Sequence, residues 1–134
     1  MSDYLLDTNH ASALLDGDEP ITSRVASSQN TADGFGISMT VLGELYFEAY
    51  ASQRRDANLS RLANFVAQVI VWEYDQAAAE EFGRIQAEQK RKGRPIPPTD
   101  AQIATVARQQ NLIVLTDDRH FSFVDNLQVE NWIR

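Results

Sequence analysis

The chain has 134 residues, 43% hydrophobic and 23% charged, with no cysteine and a formal net charge of −7. That is one domain's worth of sequence (residues 1–134) with ordinary globular usage, able to bury about two-thirds of its unfolded surface. Disulfides and thiolate metal sites are excluded, and the acidic balance argues against generic nucleic-acid binding, which uses a basic surface.

No basic region followed by a long apolar run opens the sequence. The longest apolar runs, such as Val69 to Trp72, fall far short of the ~20 residues of a membrane span. The expectation is a soluble, cytoplasmic protein with no membrane partner.

Tyr4-Leu5-Leu6-Asp7-Thr8-Asn9 reads as a strand that stops abruptly in a carboxylate, a hydroxyl and an amide. Asp7 or Thr8 can cap the helix that follows, whose apolar stripe is Ala11, Leu14 and Leu15. Gly17 to Pro20 ends it and starts a short helix through Ile21 and Val25, with Pro20 in its first turn. Asn30 to Gly34 is polar and loop-like, and Gly36 to Ser38 is a second strand. From Thr40 to Ala51 the spacing predicts a helix with Leu42, Leu45, Tyr46 and Ala49 inward and Glu44 and Glu48 on another face.

Ser52 to Asn58 reads as a polar break, Leu59 to Val66 as a helix and Val69 to Trp72 as a strand. Asp75 is a good N-cap for a long helix with Ala78, Phe82 and Ile85 on one stripe. It ends in Lys90-Arg91-Lys92-Gly93, where basic residues suit the helix dipole and Gly suits a left-handed cap. Arg94 to Pro98 holds three prolines in four residues and is a stiff loop. Thr99 and Gln102 then read as a capping box, with Ile103, Ala104 and Ala107 on the buried side and Asn111 at the end. Leu112 to Leu115 is a continuous apolar run, as in a central parallel strand, and Thr116-Asp117-Asp118 stops it. Phe121, Phe123 and Val124 are expected to pack, and Val129 to Ile133 to form a last strand. Trp72, Tyr46 and the phenylalanines read as core, and His10 and His120 as partly exposed structural residues. Strands alternating with helices predict an α/β sandwich with a mostly parallel central sheet flanked by helices.

In an open parallel sheet, ligands bind beyond the carboxyl ends of the strands. Asp7 follows the first strand and Asp117 and Asp118 follow Ile113 to Leu115, so these acids belong to one edge. Asp100 opens a helix behind the proline loop, and Glu44 lies about two turns into the helix after Gly36 to Ser38. Crowded carboxylates stay ionised only beside a counter-charge. Hard oxygen ligands without Cys or His pairs point to Mg²⁺ or Mn²⁺, which would neutralise the pocket and itself contact phosphate. A metal-activated water can then attack a phosphodiester in line. Thr8, Asn9 and Thr116 are placed to orient ligands or waters, and Lys90, Arg91, Lys92 and Arg94 form the strongest basic cluster for contacting phosphates.

Leu6 to Asn9, Gly43-Glu44-Leu45, Pro98 to Ala104 and Leu115 to Phe121 together resemble the four signatures of PIN-domain ribonucleases, more narrowly the VapC toxins of bacterial toxin–antitoxin pairs. The resemblance spans nearly the whole chain. It implies a PIN-like three-layer sandwich and a Mg²⁺- or Mn²⁺-dependent endoribonuclease, inhibited by a VapB-type antitoxin and commonly dimeric. It carries the acidic roles onto Asp7, Glu44 and Asp100; the fourth acid usually stands two residues after the Thr, which selects Asp118, with Asp117 kept beside it. Two other readings compete. A haloacid-dehalogenase-like phosphohydrolase would want a second Asp where Asn9 stands. A non-catalytic binding module would bind a partner and take up no metal.

Overall fold

The computed structural model describes residues 2–29, 31 and 33–134. Five strands form one sheet: β1 (Asp3–Leu6), β2 (Gly34–Ser38), β3 (Ile70–Trp72), β4 (Ile113–Leu115) and β5 (Gln128–Glu130). Their spatial order is β3-β2-β1-β4-β5, and every pairing is parallel. Among the described residues, six helices flank the sheet: α1 (Thr8–Leu15), α2 (Ile21–Gln29), α3 (Met39–Ala51), α4 (Arg55–Val66), α5 (Gln76–Lys92) and α6 (Pro98–Gln110). This is the three-layer α/β sandwich expected from the alternation of elements.

Burial follows position in the sheet. Leu5, Leu6, Ile37, Val114 and Leu115 in the three inner strands are fully buried, whereas β3 and β5 at the edges are partly exposed. The apolar run of β4 fits a strand covered on both faces, whereas the equally apolar β3 lies at an edge. Tyr4, Phe35 and Trp132 close one end of this core, with ring centroids 4.9–5.8 Å apart, and Arg24 lies 4.2 Å over the Trp132 ring. On β2, a Cβ at Gly36 would collide with the Ile70 carbonyl and the Trp72 ring, so glycine there lets β3 approach.

Several boundaries differ from the sequence reading. The loop expected from Asn30 to Gly34 is cut short because Gly34 and Phe35 already belong to β2; Asn30 and Ala32 lie outside the described residues. The polar break ends at Arg54, since Arg55 to Asn58 form the first turn of α4, where Asp56 suits the helix dipole. The capping box at Thr99 does not form. Pro98 is the first helical residue, a place where its fixed φ helps and its missing N–H costs nothing. Gln102 is instead held across the domain, accepting from Thr40 Oγ1 at 3.1 Å. The last strand stops at Glu130.

Other expected signals are present. Asp75 caps α5 through the Ala78 N–H at 2.9 Å, Gly93 ends it in the left-handed region, and Asn111 does the same for α6. Half-buried Arg108 joins α6 to α5 through Glu81 at 3.1 Å and Glu88 at 2.9 Å. Both glutamates are held below the usual carboxylate range by the Arg108 hydrogen bond. Buried Gln89 donates to the Arg94 carbonyl at 2.8 Å and fixes the start of the proline loop that delivers Asp100.

Candidate metal centre and active site

The register of the sheet builds the site. Leu6 pairs with Leu115, so β1 and β4 end side by side. The pairing continues one residue further, with the Asp7 N–H donating to the Leu115 carbonyl at 2.9 Å. Asp7 is therefore beside Thr116, whose hydroxyl donates to Asp7 Oδ2 at 2.7 Å. The other carboxylate oxygen of Asp7 accepts from the Thr8 N–H at 2.7 Å. Asp7 is also the N-cap of α1, so the capping role and a site role coincide on one side chain. It is 9% exposed, and burial raises its pKa. The Thr116 and Thr8 bonds oppose that shift, while the charges of Glu44 and Asp118 add to it.

Thr116 also turns the chain. Its Oγ1 accepts from the Asp118 N–H at 3.0 Å. Asp118 Oδ1 accepts from the His120 N–H at 2.9 Å, capping a 3₁₀ turn, Arg119–Phe123. The His120 ring folds back over the acids: Nδ1 lies 2.9 Å from Asp118 Oδ1 and 3.2 Å from Asp100 Oδ2. Asp117 has a different neighbour, accepting from Asn9 Nδ2 at 3.3 Å. Glu44 reaches the same edge from α3 and accepts from Thr8 Oγ1 at 2.5 Å.

Asp100 in the first turn of α6 is pushed up to about 7, by burial first and then by its proximity to Asp118 and Asp7. Burial pushes Asp118 in the same direction, but the His120 N–H, the Asp100 carboxyl and the His120 ring outweigh it and hold Asp118 below its ordinary value. The two carboxyls behave as one acid pair in which Asp100 keeps the proton.

These residues fit a divalent cation. Asp100 Oδ2 and His120 Nδ1 are buried, yet neither has an aligned hydrogen-bond partner. Buried polar atoms are normally satisfied, and a carboxyl held protonated near neutrality is relieved by positive charge. Asp100, Asp118 and His120 offer atoms all within 4.8 Å of one another.

Among the sequence candidates, Asp7, Glu44, Asp100 and Asp118 are thus brought to one rim, with Thr8 and Thr116 bonded to them. The basic cluster lies to one side. Lys92 donates to the Phe123 carbonyl at 2.7 Å and pairs with Asp125 at 3.1 Å, and Arg94 stacks 4.9 Å over the Phe123 ring. Lys90 and Arg91 are exposed. His120 is the residue undervalued in the sequence, where its only signal is its place two residues after Asp118. His10, expected to be partly exposed, is fully buried under the rim and accepts from the Trp132 N–H at 2.9 Å.

The PIN domain family's profile matches residues 4–127 of the chain. The chain belongs to the PIN-domain family, in its VapC ribonuclease branch. It is 42% identical over 97 residues to the tRNA(fMet)-specific endonuclease VapC of Shigella flexneri, covering 72% of this chain and 74% of that protein. It is 33% identical to the protein of the same name from Salmonella typhimurium, over 98% of this chain and 99% of that one. Among solved structures, the DNA-bound VapBC of Salmonella typhimurium superposes with a TM-score of 0.86 at 33% identity, covering 98% and 99% of the two chains. The VapBC2 of Rickettsia felis, bound to a promoter DNA fragment, gives 0.88 at 24% identity over 97% and 98%, a likeness of fold.

Proposed function

We propose that this PIN-domain chain is a Mg²⁺- or Mn²⁺-dependent endoribonuclease and the toxin of a cytoplasmic toxin–antitoxin pair. The observation that carries the proposal is the convergence of Asp7, Asp100 and Asp118, with Glu44 reached through Thr8, on one sheet edge where Asp100 Oδ2 is buried without a donor. Asp7, Asp100 and Asp118 would hold the metal, and Glu44 would hold it directly or through water. Asp117, bonded to Asn9, borders the site. When bound, the metal activates water and neutralises phosphate charge.

The protein's own groups do the positioning. Thr116 fixes the Asp7 carboxylate and the turn to Asp118, so one hydroxyl sets the distance between two acids. Thr8 does the same between Asp7 and Glu44, through its N–H and its hydroxyl. Burial and the neighbouring acids push Asp100 up to about 7, and a bound cation would offset that by favouring its carboxylate. A shallow groove lined by Thr8, Thr40, Gly43, Glu44, Phe47 and Thr99 opens beside the acids and offers a course for an RNA strand. Exposed Lys90 and Arg91 are free to meet its phosphates, while Lys92 and Arg94 brace the turn that carries His120.

Initiator tRNA is the first substrate to test, because two relatives carry that specificity in their names. A VapB-type antitoxin is the proposed protein partner, since the similar solved structures are VapBC assemblies. A homodimer is the proposed assembly. Tyr46, Phe47 and Tyr50 on α3, all exposed, supply apolar surface for a protein contact.

The test is RNA cleavage by the purified chain with Mg²⁺ or Mn²⁺, with excess chelator, and with Asp7→Asn. Asn can still cap α1, so the fold should survive while cleavage disappears. Full activity in chelator, or an active Asp7→Asn protein, would refute the reading.

A further inference from the structure

We propose that His120 is itself a metal ligand through Nδ1, forming with Asp100 and Asp118 one face of the coordination shell, and that this nitrogen biases the site toward Mn²⁺ over Mg²⁺. The inference rests on the metal-dependent reading above and adds a residue to it.

The geometry is that of a shell rather than of an ion pair. Nδ1 sits 2.9 Å from Asp118 Oδ1 and 3.2 Å from Asp100 Oδ2. Neighbouring ligands around an octahedral ion with bonds of ~2.1 Å stand roughly 3 Å apart, because they are separated by √2 bond lengths. A protonated ring shared between two carboxylates would instead point its N–H along one of the two approaches. Here neither approach is aligned, and Nδ1 and Asp100 Oδ2 are both buried without a hydrogen-bond partner.

The ring is also held in place. The His120 N–H is bonded to Asp118 Oδ1, and the ring packs edge-on to Phe123 at 5.9 Å. Phe123 is in turn braced by Arg94. Mg²⁺ strongly prefers oxygen, whereas imidazole nitrogen suits the transition metals. One nitrogen in place of an oxygen therefore costs Mg²⁺ more than it costs Mn²⁺.

The chain has two histidines, and His10 is buried with its Nε2 committed to the Trp132 N–H. A nitrogen signal from bound Mn²⁺ therefore has one source. The experiment is pulsed electron paramagnetic resonance on the full chain loaded with Mn²⁺, with calorimetric titration of Mn²⁺ and of Mg²⁺ into wild type and His120→Gln. The expected result is ¹⁴N modulation in wild type that is lost in the variant. Mn²⁺ affinity should fall about 10- to 100-fold in the variant, the range seen when a metal site loses a supporting group, with a smaller change for Mg²⁺. Mn²⁺ bound in wild type without ¹⁴N coupling, or coupling that survives His120→Gln, overturns the role of His120 and leaves the acid site standing. No Mn²⁺ uptake by wild type overturns the metal-dependent reading along with it.

Discussion

The acidic rim and the outer face of α3 share a helix yet follow opposite rules. Glu44 projects from α3 into the rim, where polar groups are half-buried and nearly all are paired. Two and three residues later, Tyr46 and Phe47 leave the same helix for solvent, and Phe47 is 72% exposed. The rim places charge where burial penalises it, and the α3 face places apolar surface where water penalises it. Neither arrangement serves stability, and that shared defect is why we propose both as functional surfaces, one for a cation and a phosphodiester and the other for a protein.

The largest expected effect separates the two adjacent acids at the rim. Asp118→Asn should reduce RNA cleavage by roughly 10³-fold, since a metal supplies several kcal/mol of transition-state stabilisation. Asp117→Asn should stay within about threefold, because that side chain bonds only Asn9. Initial rates at saturating Mn²⁺ check both, and equal losses would break the distinction.

The floor of the rim gives the next effect. Burial lowers the pKa of His10 from 6.5 to about 4. A depressed histidine is neutral when folded, so its stability is complete above pH 6.5 and lost as pH falls toward 4. The loss is roughly 3 kcal/mol. Thermal melts across that window should show it, and a His10→Gln variant, if folded, should flatten the curve.

Thr116→Val keeps the shape of the side chain and removes its bonds to Asp7 and Asp118. Metal affinity should drop about 10- to 100-fold by calorimetry with the fold intact. Tyr50→Ser, on the same exposed face of α3 but outside the groove beside the acids, should do the reverse of all these. Its melting temperature and RNA cleavage should match wild type, while antitoxin binding weakens about tenfold or more if the α3 face is the contact. Unchanged antitoxin affinity would detach that face from partner binding.

The rim was legible in the sequence because three of its acids sit at element boundaries, Asp7 and Asp118 past strand ends and Asp100 in a first helical turn, while Glu44 lies inside α3. Asp7 and Asp118 follow apolar runs that read as strands, and a parallel sheet puts the carboxyl ends of its strands on one edge. The α3 face was misread for the converse reason. Helical periodicity groups Leu42, Leu45, Tyr46 and Ala49 on one side, but does not say how far the packing neighbours reach. Leu45 and Ala49 are buried, and Tyr46 lies just past the contact. His120 was undervalued because its importance comes from a ring folding back across a turn, a tertiary event. Thr99 and Gln102 matched a capping pattern, and Pro98 pre-empted it by starting the helix one residue earlier.

The central strand of the sheet has a consequence for synthesis. The hydroxyl that fixes Asp7 belongs to Thr116, 109 positions later in the chain. At ~5–20 residues per second, translation needs on the order of ten seconds to span that gap. Until then the nascent polypeptide has neither a neighbour for Leu6 on the β4 side nor Asp118 beside Asp7, so the rim is incomplete until the last of its acids is made.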